Sequence, residues 1–485
     1  MRGSHRFGEE RVLTALGGGA ARGYLTASVV SDLPPMDHSV RYINTLGKAS
    51  VHDVLTVAAR ERSLAIQPRC GVGSHEHMRQ LLDDIANRAA PDVLSLTIDS
   101  HTRLQRFDSA LRCLNTRPES LNGYPLVTHG WRRGRELNEG ANAPLEIRHG
   151  SPDARILFDV AIASGITSFE GGGISYNLPY SKDVPLDVSL SAWREVDRKC
   201  GRLADHGVVV DRELFGTLTA VLVPPSISLA ISFVEAVLAA QDGVKCISVA
   251  YPQGGNLEQD VAALQAIPIL ARRYLPADVA VFPVLHEFMG AFPHSRSGAE
   301  SLILYGAFAA RLGGATKLIT KTYQEAFGIP DTEANAAGIR LARMATSPLF
   351  DFVNYDVERC MDERDWILDE VDELLSPVFS ASDLMDAVTG AFAKGTLDIP
   401  FSASRHAKSA VVPRRDPNGA IRYLNAGHLG LSEMTRRRNR DLIGSMDGRV
   451  ASPPLSLFNS LKADISFFVT MLDGPGSVPE AGVEK

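Results

Sequence analysis

Cysteine is scarce in this chain: five residues in 485, at positions 70, 113, 200, 246 and 360. They are odd in number and form no C-x-x-C pair, so they support neither a disulfide framework nor a zinc ribbon, and they point to a reducing, cytoplasmic setting. A surplus of positive charge is also missing. Fifty Lys+Arg against 57 Asp+Glu leave a net charge of -7, which gives no general attraction to nucleic-acid phosphates or anionic membranes. The only early apolar stretch, VLTAL, is too short for the h-region of a signal peptide. The longest uncharged run, Leu214 to Val234, reaches membrane-spanning length, yet it carries Pro224-Pro225 and several Ser and Thr, which suits a strand, a turn and a helix better than one span. Metal spacing such as H-E-x-x-H is absent. Gly17 to Gly19 lack the Lys-Ser/Thr of a phosphate-binding loop, and SLAIQPRCGVG does not match G-x-G-x-x-G.

What is present is ordinary for a folded chain: 45% hydrophobic and 22% charged residues, with 41 Gly and 27 Pro. Length allows about three domains at roughly 150 residues each, although α/β barrels run past that as one. Between about residues 62 and 328 one rhythm repeats, a short apolar run, a Gly/Pro or polar break, then a helical pattern. Nine runs qualify: SLAIQPR, DVLSLTID, YPLVTHG, PLEIRHG, GITSFEGG, LTAVLVPPS, KCISVAYPQ, VAVFPVLHEF and TKLITKT. Intervals such as HEHMRQLLDDIANRA and SLAISFVEAVLAAQDG have apolar spacing near 3.6. This alternation predicts an α/β fold, a (β/α)8 TIM-type barrel over residues 61–330, with an open doubly wound sheet as the alternative. Nine runs for eight places make at least one superfluous. Residues 1–60 form an N-terminal lead-in, and 331–485 a C-terminal α+β extension with a tail that frays from Asp473. Within it DERDWILDEVDELL puts Trp366, Ile367, Val371, Leu374 and Leu375 on one helical face.

In such a barrel the active site lies at the C-terminal ends of the strands. The residues closing the runs are Arg69, Asp99 with Arg103, His129, Arg148 with His149, Glu170, His286 with Glu287, and Lys321. Three arginines at one mouth suggest an anionic ligand, since the planar guanidinium binds carboxylates bidentately and three of them can fix both ends of a small dicarboxylate. Internal ion pairs with Asp99, Glu170 and Glu287 explain the pattern equally well. In SFEGGGISYNLPY, Glu170 stands beside three glycines and two tyrosines. Close backbone approach to a ligand would need such glycines, with Glu170 receiving an ammonium group and Tyr176 and Tyr180 donating hydrogen bonds.

Taken in order, IQPRCGVG, TIDSHTR, LNGYP, IRHGSPD, EGGGISYNLPY, FGTLTAVLVPPS, LHEFMGAFP, TKLITKTYQEAFGIP, EANAAGI, DIPFSASRHA and IRYLNAG resemble the catalytic (epsilon, or large) subunit of adenosylcobalamin-dependent glutamate mutase, also called methylaspartate mutase. The resemblance spans about residues 60–430. It implies that Arg69, Arg103 and Arg148 bind the substrate with His149, Tyr176 and Tyr180, and that Glu170 is the catalytic carboxylate at the substrate amino group. It further implies that Lys321 and Glu325 hold the adenosyl ribose, while Gly71, Thr97, Asn122, Pro179 and Phe215 line the cofactor-facing mouth; no metal is ligated by this chain. The implied reaction is a radical carbon-skeleton rearrangement of L-glutamate to (2S,3S)-3-methylaspartate, with adenosylcobalamin bound at the interface with a separate cobalamin-binding small (sigma) subunit. A homodimer of this chain within a heterotetramer is implied as well.

D-S-H-T-R-L at Asp99 to Leu104 begins like the cobalt-ligating D-x-H-x-x-G but lacks its glycine. Lead-in, barrel and C-terminal segment use up the 485 residues, which is why a cobalamin-carrying partner is expected. Two segments depart from the family pattern, KTYQEA after the lysine and AYPQGGN at the seventh run. They leave open a related mutase working on another amino dicarboxylate or in biosynthesis. A cobalamin-independent lyase or aldolase-type barrel, and a silent partner subunit, are the readings from other classes.

Overall fold

The computed structural model describes residues 23–217, 221–444 and 456–474. The GGGAARG stretch, most of the tail beyond Asp473 and part of LTAVLVPPS lie outside the described residues. Eight parallel strands follow one another around a single sheet: β1 Ala65–Gln67, β2 Leu94–Thr97, β3 Leu145–Arg148, β4 Ser168–Glu170, β5 Asp211–Leu214, β6 Cys246–Pro252, β7 Ala280–His286 and β8 Lys317–Ile319. Each pairs with its sequence neighbour from β2 to β8, and β8 pairs back with β1. Backbone hydrogen bonds from Asp92 to Ile66 (3.0 Å) and from Thr97 to Cys70 (2.9 Å) join β1 to β2 and close the barrel. Helices fill the intervals, among them His75–Ala89 and Pro225–Gln241, the two whose spacing announced them. The helix after β8, Thr332–Met344, packs against β1 and against His75–Ala89.

Two of the nine apolar runs are not strands as read. YPLVTHG forms the one-turn helix Leu126–His129, touching the sheet only through an isolated bridge between Ile98 and Tyr124. Periodicity cannot separate a short buried helix from a strand, and both Leu126 and Val127 are fully buried in the packed shell. His129 therefore closes no strand. It stacks on Tyr124 at 4.5 Å and bonds the Gly73 carbonyl at 2.9 Å. The fifth strand is not LTAVLVPPS but Asp-Arg-Glu-Leu at 211–214, and residues 221–224 lead instead into helix Pro225–Gln241.

The reason lies inside the barrel. Its inward positions are polar: Gln67, Ser95, Glu146, Arg148, Ser168, Asp211, Glu213, Ser248 and Lys317 are all buried and bond to one another across the strands. Gln67 donates to Ser95 (2.9 Å) and Glu146 (2.9 Å), Ser168 to Glu146 (3.1 Å) and Asp211 (3.0 Å), and Ser248 to Asp211 (2.7 Å). Lys317 pairs with Glu146 and, at 2.7 Å, with Glu213. The apolar residues Leu94, Leu96, Ile147, Phe169, Ile247 and Leu318 face the helices and form the main core. Barrel interiors usually hold branched aliphatics; here charge takes their place.

The N-terminal end is sealed by helix Val51–Glu61, whose Val51 and Leu55 pack on Val93, Cys246 and Phe282. A reciprocal cap fixes its start, with Asp53 N donating to Ser50 Oγ at 3.1 Å and Ser50 N to Asp53 Oδ2 at 2.8 Å. After the barrel, the acidic helix Val357–Phe379 lies along helices Leu257–Tyr274 and Pro225–Gln241. It buries Ile367, Val371, Leu374 and Leu375, whereas Trp366 stays half-buried beneath the guanidinium groups of Arg422 and Arg438. The antiparallel hairpin β9 Val412–Arg415 and β10 Ile421–Asn425 is tied to that helix by the Arg422–Glu363 ion pair. Among the described residues no helix is long and apolar enough to cross a membrane.

Candidate active site

The C-terminal mouth is built on the charged interior. Arg148 ends β3 and is buried. Its guanidinium reaches Glu146 at 2.8 Å, Glu213 at 3.1 Å, and Glu170 at the end of β4. Glu170 also accepts a hydrogen bond from the Tyr176 hydroxyl. Carboxylate oxygens of Glu146, Glu170 and Glu213 lie within 4.8 Å of one another, a spacing that would suit a metal ion, but Arg148 and Lys317 already supply the counter-charge. Three glutamates and Asp211 share two cations, so the group is over-supplied with negative charge. Burial, with Glu213 and Glu146 adding to it against the pull of Arg148, pushes the Glu170 carboxyl up to about 8.

The remaining arginines are different. Arg69, half-buried just after β1, has as its one side-chain hydrogen-bond contact among the described residues the Met289 sulfur, at 4.0 Å, and its Nε is buried without a partner. Arg103 ends the helical turn Ser100–Arg103 and spends its Nε on the Ile98 carbonyl at 2.7 Å. No carboxylate pairs with either among the described residues. Asp99, offered by the sequence as a possible partner, caps that turn instead, accepting from His101 N (2.9 Å) and Thr102 N (3.1 Å). Glu287 likewise turns to the backbone N–H of Lys321 at 2.5 Å. The internal-pair explanation therefore holds for Arg148 and fails for Arg69 and Arg103. All three charges and that of Glu170 bear on Tyr180, which stands edge-on to Tyr176 at 5.6 Å and is the more exposed ring of the two. His149 is buried, stacked on Trp193 at 5.7 Å, and accepts from Ser151 N at 3.1 Å; burial and Arg103 hold it neutral, well below its usual range.

Across the mouth Lys321 donates to Glu325 at 2.6 Å. Burial lowers the Lys321 ammonium to about 8. Burial alone would raise Glu325, but Lys321 and Arg69 outweigh it and hold the carboxyl down. Phe215, just past β5, is buried with its ring 5.2 Å from Tyr176. Asn122 is exposed and accepts from Ser100 N at 2.9 Å, and Pro179 is half-buried in the turn before Tyr180. At Gly71 an added Cβ would meet the Thr97 carbonyl oxygen at 2.5 Å, so packing of β1 on β2 already requires that glycine.

Several residues of this site escaped the sequence reading. Glu146 and Glu213 sit inside strands and Lys317 opens β8, where no motif marks them; for the two glutamates the signal was an i, i+2 pair of charges in a strand. Arg212 faces outward, bonded to Asp197 (2.8 Å) and to the carbonyls of Phe169 (2.6 Å) and Gly171 (2.8 Å), and so fixes the bend that aims Glu170. Glu235 accepts from Ile174 N (2.7 Å) and Ser175 N (2.8 Å). A Cβ on Gly172 would lie 2.3 Å from its carboxylate, and one on Gly171, where φ is +106, would lie 2.2 Å from the Tyr176 ring. The glycines thus admit the chain's own Glu235 and Tyr176. The two departures from the family pattern are satisfied locally. Gln324 bonds Asp331 twice, at 2.9 Å each, and the N–H groups of Gly254 and Gly255 donate to Asp260.

A cleft of about 1130 Å³ lies at the opposite end of the barrel, lined by Asp53, Arg62, Asp92, Arg311 and Arg343 among others. None of its lining side chains carries a buried unpartnered polar atom.

A closed (β/α)8 barrel whose C-terminal mouth gathers the buried, ion-paired Arg148 and Glu170 beside two half-buried arginines has the architecture of a barrel enzyme. Residues 47–451 match the family Methylaspartate mutase E chain (MutE), and the chain belongs to that family, which makes it a mutase catalytic subunit, an isomerase. A glutamate mutase epsilon subunit from Desulfitobacterium hafniense is 38% identical over 430 residues, covering 86% of this chain and 89% of that one. One from Halobacterium salinarum is 40% identical over 394 residues (79% and 82%), and one from Haloarcula marismortui 41% over 378 residues (76% and 77%).

Proposed function

We propose that the chain catalyses the rearrangement of L-glutamate to (2S,3S)-3-methylaspartate. The observation that carries this reading is the uneven pairing of the arginines: Arg148 is bound to Glu170, while Arg69 and Arg103 bring guanidinium groups to the same mouth without carboxylates of their own. An amino dicarboxylate supplies two carboxylates and an ammonium. Its carboxylates complete Arg69 and Arg103, with Arg148 reinforcing one of them, and its ammonium replaces the Tyr176 hydrogen bond at Glu170. Tyr180, at the rim, and the neutral His149 close over the bound molecule. Clamping both ends holds the fragments of a rearranging skeleton in register, and the buried rings of Tyr176 and Phe215 keep water from them.

The cofactor of the family, adenosylcobalamin, would supply the radical chemistry when bound. The residues present fit its adenosyl group. Lys321 and Glu325 form a donor–acceptor pair suited to ribose hydroxyls, and beside them the Glu287 Oε1 and Gln253 Nε2 atoms are buried without partners. Gly71, Thr97, Asn122, Pro179 and Phe215 would line the approach. In this reading a small sigma subunit brings the cobalamin to the mouth, and two copies of this chain form the centre of a heterotetramer; the relatives' designation as epsilon subunits supports a multi-subunit enzyme.

Calorimetric titration of the chain with L-glutamate and with L-glutamine tests the clamp. Loss of the second carboxylate should weaken binding about tenfold or more. Equal affinities would contradict it.

A further inference from the structure

His286 closes β7 and is fully buried. Its Nδ1 lies 2.9 Å from the backbone carbonyl oxygen of Glu287. A carbonyl only accepts, so Nδ1 carries the proton and Nε2 presents a bare lone pair. That lone pair meets no donor among the described residues. Burial, together with the charges of Arg148, Lys321 and Arg69, holds the imidazole far below its usual range, and it stays neutral.

His75 and His129 use both nitrogens. His75 bonds the Tyr124 hydroxyl (2.8 Å) and Glu136 (3.0 Å), and His129 bonds the Gly73 carbonyl (2.9 Å) and Arg133 (3.0 Å). His149 and His406 also leave Nε2 without a partner, but His149 accepts from Ser151 N at Nδ1, so its Nε2 carries the proton and offers no lone pair. His286 spends one nitrogen on its own neighbour, which fixes the tautomer, and leaves the other open in a buried polar place. Folded proteins rarely keep such an acceptor unless something supplies the donor. The location says what that is. Phe215 stands edge-on to the imidazole at 5.7 Å, and the same ring lies 5.9 Å from the Arg148 guanidinium; on the other side is Lys321. His286 therefore sits at the junction between the Glu170–Arg148 half of the mouth and the Lys321–Glu325 half.

We propose that His286 Nε2 is a hydrogen-bond acceptor for the molecule bound in the mouth, taking an N–H of an amino dicarboxylate or an O–H of a ribose. The inference rests on the mutase reading given above. It makes His286 a binding residue and assigns it no proton transfer.

The test is 15N NMR of the full chain labelled at histidine, in one arm with L-glutamate and in the other with 5′-deoxyadenosine and the cobalamin-loaded small subunit. The unprotonated Nε2 resonance of His286 should move in the direction of hydrogen bonding, and the arm in which it moves identifies the donor. His286→Gln, whose amide reaches the Nε2 position, should keep affinity for that ligand; His286→Asn, whose amide stops at Nδ1, should weaken it about fivefold to tenfold. Calorimetry on the same samples separates the outcomes. Ligand heat with an unmoved Nε2 signal in both arms overturns the role of His286 alone, and absence of binding by either ligand overturns it together with the mutase reading.

Discussion

In the proposed reaction Glu170 receives the substrate ammonium, and its ionisation would set a pH dependence. Its carboxyl is pushed up to about 8, so the carboxylate that receives an ammonium is formed only as pH rises towards that value. Lys321 is lowered to about 8 and loses its charge above it. The profile of kcat/KM should be a narrow bell with its maximum near pH 8, and Glu170→Gln should erase the rising limb while keeping the falling one. The sign for stability is opposite. Between 4.5, its ordinary value, and about 8 the folded chain holds a proton on Glu170 that the unfolded chain has released. That contribution is complete below 4.5 and is lost as pH climbs to 8. Arg148→Lys should lower kcat/KM by about a hundredfold, since one ammonium cannot serve three glutamates in the geometry of a guanidinium; thermal unfolding measured alongside distinguishes lost function from lost fold. How legible these residues were depends on where they stand. Arg69, Arg103, Arg148 and Glu170 close strands or the turns that follow them, so barrel geometry alone singled them out. Glu146, two residues before Arg148 on the same inward face, and Glu213, level with Glu170 on the neighbouring strand, look in sequence like surface charges.

At the scale of the element, β5 shows why one strand was misplaced. Asp211 and Glu213 point into an interior that other barrels fill with aliphatics, so the strand lacks the apolar alternation by which strands are found. The neighbouring LTAVLVPPS has the apolar run that reads as a strand, but its described residues, from 221 on, lead into a helix. The charged layer is a structural commitment as well. Lys317, fully buried on β8, balances Glu146 and Glu213; Lys317→Met leaves those carboxylates with Arg148 alone. Denaturant unfolding should show a loss of about 3–5 kcal/mol, and a loss under 1 kcal/mol would mean that the layer is not held by this lysine. Ser50→Ala, which removes the cap of the helix sealing the barrel floor, should cost about 1 kcal/mol in the same assay.

For the whole molecule, the βα rhythm was enough to give the barrel, because each strand–helix unit announces itself locally and closure follows from parallel pairing. The hairpin of the C-terminal segment was harder to see, since what holds it is a set of long-range contacts such as Arg422–Glu363 and the Tyr423–Ser226 hydrogen bond at 2.7 Å. The largest consequence at this scale concerns the partner. Two arginines of the mouth have no directly paired carboxylate among the described residues, and in the proposed reaction the site is completed by substrate on one side and by a cobalamin-bearing subunit on the other. The direct measurement is NMR of 13C-labelled L-glutamate incubated with the chain, the small subunit and adenosylcobalamin. The account predicts a new methyl doublet from 3-methylaspartate, dependent on all three components. An unchanged glutamate spectrum with the complete system, or turnover without cobalamin, would contradict it.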